Sequence, residues 1–174
     1  HKLRKNSTLE ANLVKKKLKQ FQISSNILTI KKINKKINLQ SFARDNRYKL
    51  IIDQSITKKI DTILTAHHKD DLIENFFIRL LRGSGLKGLI SFAQIKSKIK
   101  FDDEIVILRP LLDISKKDLE YVAKNTFNFN VNDPSNLDDK FLRVKVRKLI
   151  SNLKKDGLTF NKFKLSLNNL SKSN

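Results

Sequence analysis

The sequence predicts an α/β protein with an open, mostly parallel sheet and a helical extension at its C-terminal end. Short apolar, β-branched segments alternate with segments whose apolar residues recur at helical spacing, which is typical of strands that alternate with helices. A cluster of charged residues and glycines follows one of the strand segments, at the place where ligands bind in open α/β sheets. Residues 1–112 are therefore assigned to the α/β domain, and residues 113–174 to the helical extension.

The first part of the chain is expected to form helices and strands in turn. Ser7 and Glu10 have the spacing of a capping box, so a helix should begin there. A short strand is expected at residues 26–30, a helix at 39–54 and a buried strand at 60–66. The first helix would turn inward a row of apolar residues, namely Leu9, Leu13, Val14, Leu18 and Phe21.

The remainder is expected to be mostly helical. A helix at residues 70–81 should stop at Gly83. A hairpin is expected within residues 95–110, turning at 102–103, and a helix capped by Ser115 should run to residue 124. Further on, the pattern predicts a turn at 132–136, a basic helix at 139–153 and helical spacing of apolar residues over 160–170.

The most informative stretch is residues 65–89, TAHHKDDLIENFFIRLLRGSGLKGL. Asp70, Asp71 and Glu74 share the first turns of the predicted helix, and the sequence shows no partner for their carboxylates. Two interpretations stay open. The acids can simply complement the helix dipole, or they can form a magnesium or polyphosphate site, because hard cations take carboxylate and phosphate oxygens as ligands.

Two other features of this stretch are expected to be structural. His67 and His68 are adjacent at a strand end and should point to opposite faces, so a shared zinc ion is not expected. Residues 83–88 fit GxGxxG, but the string follows a helix, whereas a dinucleotide fingerprint follows a strand. We interpret it as a helix stop and tight connection, with Arg79 and Arg82 on the exit side.

The charge of the chain favours a polyanionic partner. The net charge is +20 and the pI is about 10.2, which suggests nucleic acid. A genome rich in AT codons would also make proteins basic, so the spaced arginine pairs are more informative, because arginine offers a planar fork for phosphate. These pairs are Arg44 and Arg47, Arg79 and Arg82, and Arg143 and Arg147.

Composition also limits the class of protein. The chain has no cysteine, which excludes disulfides and thiolate chemistry in these residues. It has no apolar run near the length of a membrane span, so no membrane partner is expected. It has no methionine and opens at His1, so we expect it to be processed, trimmed or a fragment.

Five separated strings resemble, in order and spacing, the adenylating domain of the tRNA(Ile)-lysidine synthase family. They are HKLRKNSTLEA, NLQSFARDNRY, the stretch at 65–89, ILRPLL and NDPSNLDDKFLRVKVR, and together they cover residues 1–153. The family belongs to the N-type ATP pyrophosphatases. The resemblance implies an adenine-nucleotide alpha-hydrolase-like, Rossmann-like fold.

The resemblance also implies an activity. Members attach lysine to the wobble cytidine of CAU-anticodon tRNA(Ile) through an adenylated tRNA intermediate, with ATP and Mg²⁺ as cofactors and tRNA(Ile) and free lysine as partners. A cytoplasmic location follows, and a homodimer is compatible. The family's phosphate loop, SGGxDS, precedes the string that opens this chain, so we expect this chain alone to be inactive. The alternatives are a non-catalytic, basic RNA-binding remnant and, less favoured without cysteines, a tRNA-thiolating relative.

The family's functional residues carry over position by position. The resemblance implies catalytic roles for Asp71, Glu74 and Arg82, ATP or substrate binding by His1, Arg4, Gln40, Arg44, Arg47 and His67, tRNA binding by Arg143, Lys145 and Arg147, and a magnesium site at Asp70 and Asp71.

Overall fold

The computed structural model describes residues 7–30, 39–99, 102–129 and 142–173. Contacts within the chain group it into two units, His1–Ile63 and Leu64–Asn174. The sequence predicts a different boundary, at residue 112, between the α/β domain and its helical extension. That boundary stays a prediction. The described part contains no helix that is both long and apolar enough to cross a membrane.

The described part of the first unit contains two helices, α1 (Ser7–Gln20) and α2 (Leu39–Thr57). The helix predicted from Ser7 is confirmed, but the inward face assigned to it is wrong. No residue of α1 is buried, and Leu9 and Leu13 are 63% and 52% exposed. Helical spacing of apolar residues defines a common face, but whether another element covers that face depends on tertiary packing.

Residues 23–30 of the first unit have no helical or strand structure, so the strand predicted at 26–30 is wrong. A strand exists only where a neighbour completes its hydrogen-bond ladder, which a short apolar run cannot guarantee. The helix predicted at 39–54 is confirmed as α2, which continues to Thr57. Its buried residues include Ala43 and Ile52, and the Ser55 hydroxyl donates to the carbonyl of Ile51 over 2.9 Å.

The sheet has three described strands, β1 (Thr62–Leu64), β2 (Lys96–Ile99) and β3 (Asp102–Leu108), in the order β1-β3-β2. The predicted hairpin is confirmed, because β2 and β3 pair antiparallel with Lys96 opposite Leu108. Its predicted turn position is wrong, since β3 already begins at Asp102. The predicted buried strand at 60–66 is shorter than expected, and Leu64 is 67% exposed while Ile63 is buried.

Five helices of the second unit fall in its described part: α3 (Lys69–Leu81), α4 (Leu86–Ile90), α5 (Lys116–Phe127), α6 (Leu142–Lys155) and α7 (Phe160–Lys172). They confirm the helix predicted at 70–81 and the cap at Ser115, whose hydroxyl accepts from the Asp118 amide over 3.1 Å. The helical spacing over 160–170 is confirmed as well. The turn predicted at 132–136 and the start of the basic helix lie outside the described residues.

The core of the second unit forms where α3, α6 and α7 meet. Its most buried side chain is Val146, at 1% exposure. Phe163 of α7 contacts Phe76 of α3 edge to face, with ring centroids 5.2 Å apart, an arrangement that aromatic pairs favour. This contact packs α7 against α3. The other members of the buried cluster are Leu72, Ile73, Ile90, Phe92, Leu112, Ile150 and Leu167.

Candidate functional site

The first turn of α3 holds two carboxylates at the end of a loop. His68 is the N-cap residue, and its backbone amide donates to Oδ2 of Asp71 over 3.2 Å. Asp70 accepts a hydrogen bond on Oδ2 from the backbone amide of Lys116, at 2.9 Å. These bonds satisfy amides at two helix starts, where backbone donors have no partner within their own helix. The dipole interpretation of these two acids is therefore correct in part.

Glu74, one turn further along α3, has a different environment. It is 5% exposed, which is rare for a glutamate unless it is paired. Arg143 Nε donates to its Oε2 over 2.6 Å, and Arg147 Nε donates to its Oε1 over 2.7 Å. Arg143 and Arg147 are four residues apart on α6 and so face the same way. Both oxygens of one buried carboxylate are thus held by two guanidinium groups.

Asp71 completes the arrangement. Arg143 Nη2 donates to Asp71 Oδ1 over 2.9 Å, so a single guanidinium spans two acids of α3. The four side chains of Asp71, Glu74, Arg143 and Arg147 are called the acid–arginine cluster below. Its formal charges cancel, and its two arginine side chains remain 46% and 35% exposed. The cluster therefore presents guanidinium groups to solvent while its acids are covered.

A cavity of about 580 Å³ borders the cluster on the side of α5. Lys154 of α6 reaches toward Asp70 there, with its Nζ 3.8 Å from Oδ1. The wall carries four cationic and three anionic side chains, so it suits a polar ligand that bears phosphate. Its lining residues are Asp70, Ile73, Glu74, Ser115, Lys116, Lys117, Glu120, Arg147, Ile150, Ser151 and Lys154.

The two histidines have separate partners, as their adjacency predicts. His68 Nε2 lies 3.3 Å from Asp71 Oδ2 and so adjoins the cluster. His67 instead has Nδ1 at 2.9 Å from the Thr65 hydroxyl, and its ring meets Phe92 edge to face at 5.0 Å. His67, a predicted substrate-binding residue, is thus held by a hydroxyl and an aromatic ring.

Arg109 contacts the same aromatic ring. The sequence pointed only to the string ILRPLL that contains it, and it predicted no role for this arginine itself. It is 9% exposed, and its guanidinium carbon lies 5.2 Å from the centroid of the Phe92 ring. Nη1 donates to the Gln94 carbonyl over 3.0 Å and to the Ser97 hydroxyl over 2.9 Å. The signal available in the sequence was an arginine at the end of an apolar strand.

The glycine string has the structural role expected of it. Arg82 is the C-cap residue of α3, and Gly83 follows with a positive φ of 71°, which glycine adopts at little cost. Arg79 donates to the Gly88 carbonyl over 2.8 Å and so ties the connection to α3. Arg82, a predicted catalytic residue, lies eight residues beyond Glu74, about 12 Å along the helix axis.

The other predicted site residues are not members of the acid–arginine cluster. His1 and Arg4 are outside the described residues, and for Gln40 only the place in α2 is described. Lys145 is exposed on α6, between the two arginines in sequence. In the first unit, the Arg44 guanidinium lies 5.5 Å from the Tyr48 ring centroid. Arg47 borders a cavity of about 280 Å³ in that unit, together with Asn26, Leu28, Ile30, Leu50 and Ile51.

Magnesium was predicted at Asp70 and Asp71, and the side chains as arranged do not offer it a ligand set. Asp71 uses one oxygen for Arg143 and the other for the His68 amide. Asp70 accepts from the Lys116 amide. Among the described residues no group of three or more acidic, histidine or cysteine side chains is placed to hold a metal ion. The magnesium site stays a prediction.

Comparison with known proteins gives consistent findings. A sequence model of the PP-loop domain matches residues 1–153. A tRNA(Ile)-lysidine synthase of Orientia tsutsugamushi is 40% identical over 156 residues, covering 88% of this chain and 34% of the relative. One from Bradyrhizobium diazoefficiens is 34% identical over 157 residues, covering 90% and 42%. The chain thus spans less than half the length of these relatives.

Solved structures agree on the fold. A U34-tRNA thiolase from Methanococcus maripaludis, determined with its [4Fe-4S] cluster, superposes with a TM-score of 0.71 at 18% identity, over 99% of this chain and 57% of that chain. The α/β fold class of the adenine-nucleotide alpha-hydrolase type is thereby confirmed. The likeness is one of fold alone. The present chain has no cysteine with which to ligate such a cluster.

Proposed function

This chain belongs to the PP-loop domain family, and from that premise we propose that it is the adenylating part of an ATP-dependent tRNA-modifying ligase. In the proposed reaction, ATP adenylates the wobble cytidine of CAU-anticodon tRNA(Ile) and pyrophosphate leaves. The amine of free lysine then attacks the activated cytidine and displaces AMP, which leaves lysidine in the tRNA. The proposal follows the relatives, whose names state this product.

The single observation in this chain that supports the proposal is the acid–arginine cluster. Glu74 holds Arg143 and Arg147 by their Nε atoms. In the described part of the chain, no hydrogen bond uses the Nη groups of Arg147. Guanidinium groups fixed in this way keep donors for phosphate oxygens and lose little freedom when they bind. The cluster therefore fits a site where a phosphate chain or an RNA backbone is positioned.

The chemistry needs few protein groups. Transfer of an adenylyl group to an amide-like base oxygen requires alignment of the reactants and neutralisation of the phosphate charge. Arg143 and Arg147 supply cationic groups beside a cavity that also contains Lys154. Asp71 and Glu74 act by orienting these arginines.

The first unit has a cavity of its own. The cavity beside Arg47 is lined mainly by apolar side chains of α2 and of residues 26–30. Ligand pockets commonly combine such apolar walls with a few polar groups that fix orientation. Arg47, one of the residues for which the resemblance implies ATP or substrate binding, is among the polar residues of this wall.

The test uses the protein expressed from its whole reading frame. Incorporation of radiolabelled lysine into CAU-anticodon tRNA(Ile) should require ATP and release pyrophosphate. Glu74→Gln should lower incorporation at least tenfold. Asp113→Asn removes an exposed acid that pairs with Lys164 outside the proposed site, and it should have little effect. If the wild type incorporates no lysine but binds RNA without ATP, the result would instead support the non-catalytic RNA-binding alternative.

A further inference from the structure

Helix α5 exposes an aromatic side chain that belongs neither to the buried cluster nor to the acid–arginine cluster. Tyr121 is 70% exposed, and the adjacent Val122 is 51% exposed. No residue of α5 is buried. A lone exposed tyrosine is unremarkable, so the inference depends on what surrounds this one.

Tyr121 forms part of the wall of a groove of about 470 Å³. Lys117 lies four residues before it and Lys124 three residues after it, so both lysines lie on the same helix face as the ring, one turn to either side. At the far end, α5 stops at Asn128, whose φ of 45° is left-handed. We call this the α5 groove, and its lining residues are Lys117, Glu120, Tyr121, Lys124, Asn128 and Phe129.

The charge of the α5 groove is positive. Its one acid, Glu120, lies 3.2 Å from the ammonium of Lys116, which lies one turn earlier on the helix. Neither Lys117 nor Lys124 forms a salt bridge with a residue in the described part of the chain. The groove thus offers two ammonium groups and the exposed ring of Tyr121 to a ligand, in a chain of net charge +20, and the half-buried Phe129 also lies in its wall.

We propose that the α5 groove binds a single-stranded segment of RNA, with one base stacked on Tyr121 and the flanking phosphates at Lys117 and Lys124. An aromatic face between cations is the combination by which proteins hold unpaired nucleotides, since every base has a π face and every linkage carries a charge. An acidic peptide would use the lysines but not the exposed ring. This inference rests on the proposed function in taking RNA as the partner.

The position of the groove relates it to the acid–arginine cluster. Lys117 and Glu120 line the α5 groove and also the larger cavity that contains Glu74 and Arg147. The two depressions therefore share a wall on α5. An RNA segment with one base stacked on Tyr121 would continue past Lys117 toward the acid–arginine cluster. The α5 groove would therefore position RNA beside the proposed reaction site.

The experiment measures binding of a fluorescent single-stranded oligouridylate of roughly 12 nucleotides to the full chain by anisotropy, without ATP or lysine. Tyr121→Ala should weaken binding by roughly 5- to 150-fold, the range for loss of one base–aromatic stack. Tyr121→Phe keeps the ring and should bind like the wild type. Circular dichroism and thermal unfolding verify that both variants are folded.

The lysines are tested by salt dependence. The double variant Lys117→Gln, Lys124→Gln should reduce the slope of log affinity against log salt by about 1.4, or roughly 0.7 for each contact with a single strand. Lys172→Gln, an exposed lysine on α7, is the matched control and should change the slope less than either single variant in the groove.

Either of two results with the variants would overturn the inference. Tyr121→Ala could bind like the wild type, or Tyr121→Phe could lose as much affinity as Tyr121→Ala, which would assign the effect to the hydroxyl. The wild type failing to bind would overturn it as well. Because the assay needs neither ATP nor lysine, its result is separate from the test of lysine incorporation. If the wild type incorporates lysine and Tyr121→Ala binds the oligouridylate normally, the inference about the α5 groove is wrong and the proposed function is unaffected.

Discussion

Arg143 donates its Nε–H to Glu74 across 2.6 Å, although the two residues are 69 positions apart in the chain. Their sequence strings imply different tasks, catalysis for the acid and tRNA binding for the arginine. The structure joins them in one cluster that also includes Asp71 and Arg147. A substitution of either partner should therefore alter both the packing of α3 on α6 and the proposed site.

Replacing Glu74 with glutamine should lower the free energy of unfolding by about 1–3 kcal/mol, because the remaining amide cannot satisfy two guanidinium groups at a buried position. Urea denaturation of the chain measures this. Glu120→Gln is the control. Its exposed partner Lys116 lies one turn away, and such pairs contribute roughly 0–1 kcal/mol. Equal stabilities of the wild type and Glu74→Gln would show that the pairing does not hold α3 to α6.

Replacing both Arg143 and Arg147 with alanine should reduce the slope of log tRNA affinity against log salt by about 1–2, or roughly 0.7–0.9 for each phosphate contact. Different tRNAs should be weakened alike, since phosphate contacts carry no sequence information. Filter binding over a salt series, with Lys172→Ala as the control, provides the measurement. An unchanged tRNA slope with weaker binding of labelled ATP would assign the arginines to the nucleotide instead.

Ser115→Ala should raise the pKa of Asp118. The hydrogen bond from the Ser115 side chain is the largest cause that holds the pKa of this carboxyl below its ordinary value of 3.8. The depressed pKa stabilises the fold above pH 3.8, and this contribution is lost as the pH falls through the folded-state pKa. NMR titration of the carboxyl carbon should show the rise in the variant.

The same Ser115→Ala change removes the hydroxyl that caps α5, so unfolding at neutral pH should cost about 0.5–2 kcal/mol less. Ser171→Ala, at an exposed position of α7, should change neither quantity. An unshifted Asp118 titration in the Ser115 variant would mean that another group sets its pKa.

Phe163→Ala should destabilise the second unit by roughly 3–5 kcal/mol, because it leaves a cavity where α7 meets α3. Phe163 is 5% exposed and contacts the rings of Phe76 and Phe77. Leu165→Ala, two residues away on the same helix but 62% exposed, should cost little. Thermal unfolding compares the two, and a similar loss for both would contradict the assigned packing of α7.

The sequence by itself determined the local elements of this protein. The spacing of Leu72, Ile73, Phe76 and Phe77 predicted the helix that is α3, Ser115 predicted the start of α5, and the spacing of Phe163 and Leu167 predicted α7. These signals succeed because helical periodicity and capping act between residues within about two turns. The predicted helix–strand alternation also led to the confirmed fold class.

Only the tertiary structure decided which faces are covered and which charges pair. The apolar row of α1 was expected inward and is exposed. The acids at 71 and 74 had no visible partner in the sequence, yet they are held by two arginines of α6. Ion pairs and buried faces depend on how distant segments approach each other, and that approach is set by the packing of α3, α6 and α7 around Val146, which no local pattern encodes.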